Sequence, residues 1–165
     1  MFDLLTRLAF IVALRLGPQD LPSGNRVLLT CLGLYALITS VSLMNSARDI
    51  HPALLLAIAM VVPIVLAWIV LKWRGLTARW EQTVSALFGS SAVLSIISLP
   101  LNLLSGDQPT ALPALVLLVV FFWSFAVDAH IWRHALNVAY STGLAVAAIF
   151  FGITLIILNL LAGPP

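Results

Sequence analysis

Five long apolar runs, parted by short polar stretches, constrain this chain more than any other feature. They cover residues 27–44, 53–71, 82–104, 114–132 and 141–161. A helix rises 1.5 Å per residue, so about 20 apolar residues cross the hydrocarbon core of a bilayer. Each run has about that length. Of 165 residues, 62% are hydrophobic and only 8% charged, against roughly 25% charged in a soluble domain. So few charges cannot coat a water-facing surface, and most of the surface must face lipid. The expected fold class is all-α: a polytopic integral membrane protein, one domain over residues 1–165, with five transmembrane helices plus an N-terminal interfacial helix.

That sixth helix is the apolar stretch 2–16, too short to span and carrying Arg7 and Arg15 near its ends. It is expected to lie on the cytoplasmic leaflet with its arginines at headgroups; a short tilted span is the alternative. It does not read as a cleavable signal. Asp3 lies upstream, Arg15 closes the run, and no small-x-small cleavage site follows. Gly17, Pro18, Pro22 and Gly24 then break the helix.

The basic residues set an orientation. Arg7, Arg15, Arg26, Lys72, Arg74, Arg79 and Arg133 fall on one side of a five-span layout, and Arg48 on the other. The positive-inside rule puts the N-terminus in the cytoplasm and the C-terminus outside. The net charge of +2 comes from basic residues too scattered to form a nucleic-acid patch. The single cysteine, Cys31, excludes a disulfide framework and reads as a buried structural residue. Pro63, mid-run, is expected to kink its helix. Trp73 and Trp80 flank the main charged loop as interfacial aromatics do.

Two polar constellations stand out. The first is Asp128, His130, Arg133, His134 and Asn137, near the end of the fourth run. His130 and His134 are four apart and share a helix face with Asn137, while Asp128 points about 160° away from His130. A His-x-x-x-His pair can ligate a metal. Two ligands do not make a site, however, and Ile131 stands where H-E-x-x-H needs its glutamate. An interfacial helix end, with Trp132 and Tyr140 in the aromatic belt, explains these residues more simply. Asp128 is the sharper anomaly, about one turn inside the cytoplasmic boundary, where an ionisable group is costly and normally paired. Arg79, Lys72 or His130 would neutralise it; a proton relay through Asp128 and the histidines is the functional alternative. The second constellation is Ser91, Ser95, Ser98 and Asn102, spaced to share one face of the third span. It is expected to hydrogen-bond to a neighbouring helix, or else to line a solute path.

No phosphate-binding loop, dinucleotide motif or nucleophile elbow occurs. The expectation is a non-enzyme without metal or cofactor. Small residues on the first span (Thr30, Gly33, Ala36, Thr39, Ser40) and the fifth (Ala145, Ala148, Gly152) suit close helix approach. Asn159 follows on the fifth-span face.

The run Leu16-Gly17-Pro18-Gln19-Asp20-Leu21-Pro22, followed by five spans from Arg26 to Leu161, resembles the bacterial branch of the Yip1-like membrane proteins. The resemblance implies a non-catalytic helical protein of the bacterial inner membrane that works through lipids or membrane partners. It carries over no active-site residues. The long hydrophilic N-terminal domain of the eukaryotic members is missing here. Two functions follow as expectations. One is an accessory or scaffold protein, joined to a membrane partner or to its own copies, with no role at nucleic acid. The other is a small transporter or channel subunit using the serine face and Asp128. A shared hydrated cavity among the polar faces would favour the second.

Overall fold

The computed structural model describes residues 2–44, 51–104 and 111–162, with side chains from 3–44, 51–101 and 111–161. The turn containing Arg48 and the loop at 105–110 lie outside the described residues. The described elements are all helical: α1 (Phe2–Val12), α2 (Asn25–Met44), α3 (Pro52–Trp73), α4 (Trp80–Leu104), α5 (Ala111–Leu136) and α6 (Tyr140–Ala162). Helices α2 to α6 are each long and apolar enough to cross a membrane. Their starts and stops follow local chemistry. Pro52 opens α3, where a missing N–H costs nothing.

Three helices end in Schellman caps, with a residue in the left-handed region accepting the turn. These are Leu14 (φ 59), Gly75 (φ 69) and Asn137 (φ 54). The matching bonds run from Arg15 N to Phe10 O, Leu76 N to Leu71 O and Val138 N to Arg133 O. Gly75 and Asn137 suit that conformation. Leu14 does not, because its Cβ crowds the next carbonyl at a cost of about 1–2 kcal/mol.

The five long helices close a ring. Contacts run from α2 to α3, α3 to α6, α6 to α5, α5 to α4, and α4 back to α2. Helix α4 is the most enclosed, also touching α1 and α3. Outward faces carry apolar residues such as Leu115, Phe122, Ile149 and Ile156. An apolar belt of this extent is compatible with a membrane location.

Helix α1 lies outside the ring against α4 and α5. It is shorter than the 2–16 stretch expected, ending at Val12. Its Leu8 and Ile11 are fully buried on the bundle, while Leu5 and Phe10 face outward. One apolar face is thus covered by protein, a different arrangement from a helix resting on lipid alone. Arg7 is paired with Asp3 at 3.0 Å and also donates to the Asp20 carbonyl, so it is held by the protein itself.

Two glycines make room for close packing, Gly89 for side chains and Gly143 for a neighbouring backbone. A Cβ at Gly89 of α4 would come 2.5 Å from Leu8 Cδ2 and 3.1 Å from the buried Cys31 Sγ. A Cβ at Gly143 of α6 would collide with the Ala129 carbonyl oxygen and stand 3.0 Å from the Arg133 nitrogen on α5. Because those atoms are backbone, the two helices would have to separate. Gly143→Ala should therefore lower stability by about 1–3 kcal/mol. Gly152→Ala, where nothing lies within 4 Å, should be neutral or raise it by up to about 1 kcal/mol. Thermal unfolding in mild detergent compares the two; equal midpoints would show that the α5–α6 approach is not the constraint.

Candidate functional site

The polar residues near the end of α5 do not form one cluster. They divide between the outside and the inside of the ring. On the outside, His130 is buried and its Nε2 lies 3.0 Å from the Leu16 carbonyl. A carbonyl can only accept, so Nε2 carries the hydrogen. His134 stacks edge-on against His130, centroids 4.5 Å apart, as the four-residue spacing predicts. Arg133 is exposed, and Asn137 sits in the left-handed cap after α5.

Arg79 is one of the partners expected for Asp128. It donates instead to the His134 and Ala135 carbonyls at 3.3 and 3.1 Å. Lys72 lies over the Trp68 ring at 4.3 Å. Among the described residues, the expected pairing of Asp128 with a basic residue is therefore not made. The three cationic candidates are each held elsewhere, two of them by groups at the end of the bundle.

The same pattern of side chain to carbonyl bonds seats the segment after α1. Trp123 Nε1 donates to Val12 O at 3.0 Å, and Gln82 Nε2 to Leu21 O at 2.8 Å. The Asp20 carboxylate accepts from Gly17 N at 2.8 Å and closes the Pro18–Asp20 turn. A hollow of about 260 Å³ remains here, between Pro18 and Gln19 on one wall and Arg79, Gln82 and His134 on the other. Trp73 is exposed, as an interfacial aromatic would be, but Trp80 turns inward and buries its indole N–H without a partner. Among the described residues, no group of three or more His, Cys, Asp or Glu is placed to hold a metal. These contacts also bring the segment before α2, the α3–α4 connection and the end of α5 to one end of the bundle. That end carries most of the basic residues.

Asp128 points into the ring. Two adjoining hollows, of about 320 and 110 Å³, meet at Tyr35, Ala59, Pro63 and Asp128. The larger extends past Ser124 and Phe125 to Ala147, Phe151 and Thr154 of α6; the smaller reaches Phe88 and Ser91 of α4. All five ring helices thus contribute to the walls. Aromatic rings stiffen them: Tyr35 stands edge-on to Phe88 at 5.0 Å, and Phe125 to Phe151 at 5.1 Å. Among the described residues no hydrogen-bond donor or basic group is bonded to the Asp128 carboxylate. No Lys, Arg or His lines either hollow.

The serine face divides as well. Ser91 lines the smaller hollow with Asp128. Ser98 Oγ donates to Ser95 O of its own helix at 3.2 Å, not to a neighbour as expected. A hydroxyl can satisfy itself on the preceding turn, which removes the need for a second helix. The side chain of Asn102 lies outside the described residues. Sequence spacing misses Ala59, Pro63, Tyr35 and Thr154 as companions of Asp128. Pro63 alone signals something, as a proline deep in an apolar helix.

The outward and inward roles separate by mutation. His130→Ala removes the donor to the Leu16 carbonyl and leaves a void, and should cost about 1–3 kcal/mol. Trypsin should then cut faster at Arg15. His134→Ala, half-exposed and without a carbonyl partner of its own, should change stability by less than about 0.5 kcal/mol. Equal protease sensitivity in the two variants would contradict this division.

Set beside known protein families, curated proteins and solved structures, the chain matches none.

Proposed function

We propose that the chain is an integral membrane protein of transport or channel type, and that the Asp128 cavity is where its solute binds or passes. The observation that carries this reading is the Asp128 carboxyl group, without a basic partner among the described residues, facing two adjoining hollows whose walls the five apolar helices share between them. An ionised side chain at membrane depth costs about 2.5–3.5 kcal/mol or more, and is tolerated where it faces a cavity or an ion path. The meeting of Ser91 and Asp128 at one hollow adds support. The gathering of basic residues at one end favours a cytoplasmic N-terminus, in a bacterial inner membrane on the family resemblance.

A second reading, the accessory protein acting through membrane partners or its own copies, draws on a different surface. Ala145, Ala148 and Asn159 of α6 are exposed, and Gly33 and Gly152 have open space beside them. Such a face accepts another helix. The two readings part on one residue. In liposomes with an imposed potential, the wild type should carry a cation or proton current. Asp128→Asn, nearly identical in shape, should slow it on the order of tenfold or more, a difference of about 1.4 kcal/mol or more. Wild-type flux in that variant, or no flux in either, would sink the transport reading.

A further inference from the structure

We infer that the Asp128 cavity binds a monovalent alkali cation, held by the Asp128 carboxylate together with the Ala59 carbonyl that Pro63 leaves without a helical donor. The inference rests on the transport reading of this cavity and names what the cavity takes.

The first support is the backbone of α3. In a helix the carbonyl of residue i−4 receives the N–H of residue i. Proline has no N–H, and its ring pushes that carbonyl aside. Pro63 lies inside α3, so the carbonyl deprived of its donor is that of Ala59. Ala59 and Pro63 both line both hollows beside Asp128. The chain thus brings Asp128 of α5 and Ala59 of α3, the residue whose carbonyl loses its helical donor, to the walls of one small space. Carbonyls freed in broken helices are a recurring means of coordinating sodium and protons in membranes.

The second support is the state of the hydroxyls. Ser124 Oγ donates to Phe121 O at 2.7 Å, and Thr154 Oγ1 to Phe150 O at 2.8 Å. Their hydrogens are committed to their own helices. Only lone pairs remain for the hollow. Tyr35 and Ser91 add hydroxyls that can donate or accept, and no cationic side chain is among the lining residues. An anion would find no positive charge there and would face the Asp128 carboxylate. Oxygen donors without sulfur or imidazole select a hard cation. One carboxylate balances one positive charge, whereas a divalent ion would leave an uncompensated charge in apolar surroundings. The larger hollow, at about 320 Å³, also leaves room for waters, each taking about 30 Å³.

The test uses the whole purified chain in mild detergent, unfolded by heat in sodium, potassium, calcium or choline chloride at matched ionic strength. Sodium or potassium should raise the midpoint saturably by about 2–4 °C relative to choline. Asp128→Asn should abolish the rise. Pro63→Ala, which restores a donor to the Ala59 carbonyl, should raise the half-saturating concentration on the order of tenfold. Ser124→Ala removes a cavity oxygen, losing only its bond to the Phe121 carbonyl of the same helix, and should raise it too, so the outcome does not hang on Pro63→Ala folding. Equal midpoints in sodium, potassium and choline would overturn the inference. So would an alkali shift retained in Asp128→Asn, or a larger shift with calcium. An Asp128-dependent proton current without any alkali shift would leave the transport reading standing and remove only the alkali cation. Loss of both would remove both.

Discussion

Where Gly143 meets the Ala129 carbonyl, α5 and α6 come together backbone against backbone, and this contact governs the rotation of α5. With Ala129 turned toward α6, its neighbour Asp128 is carried to the ring interior, and His130 to the opposite side. Side chains on a helix advance about 100° per residue. A rotation of two positions, about 200°, would put the acid against the N-terminal segment and the histidine in the cavity. Any side chain larger than hydrogen at 143 forces the pair apart, so the inward acid depends on an absence of atoms on the neighbouring helix.

Polar groups in this apolar bundle are satisfied by a small set of long side chains. Trp123, His130, Gln82 and Arg79 all reach carbonyls that no helix supplies with donors. A buried carbonyl without a partner costs about 1–3 kcal/mol. These bonds make the non-helical stretch after α1 tolerable against α4 and α5. They also withdraw Arg79 and His130 from Asp128. Its lack of a counter-charge is thus a consequence of how the end of the bundle is stitched together.

Much of this was legible in the sequence, and the remainder has a physical reason for hiding. The five long helices lie within a few residues of the apolar runs, because length and hydropathy are local properties. His130 and His134 share a face and Asp128 opposes them, because helical spacing is local too. The docking of α1 was not legible: an amphipathic helix of that length covers lipid or protein equally well. Nor was the fate of the serines, since a hydroxyl bonds to its own preceding turn as readily as to a neighbour. The convergence of Pro63, Ala59 and Asp128 depends on how α3 is rotated relative to α5. Two helices separated by about fifty residues carry no local record of that angle. Pro63 and Asp128 were each visible as anomalies, and only the packing shows that they concern the same space.

The segment seated by Trp123 and His130 has a consequence for the history of each molecule. Val12 and Leu16 lie 111 and 114 positions before the side chains that hold them. Chains are made from the N-terminus at roughly 5–20 residues per second. Helix α1 therefore waits through the synthesis of α2 to α5 before its binding face is complete. In that interval Leu8 and Ile11 have no protein to cover them, and Leu14 has no packing to offset its left-handed backbone. This stretch is made long before the side chains that seat it.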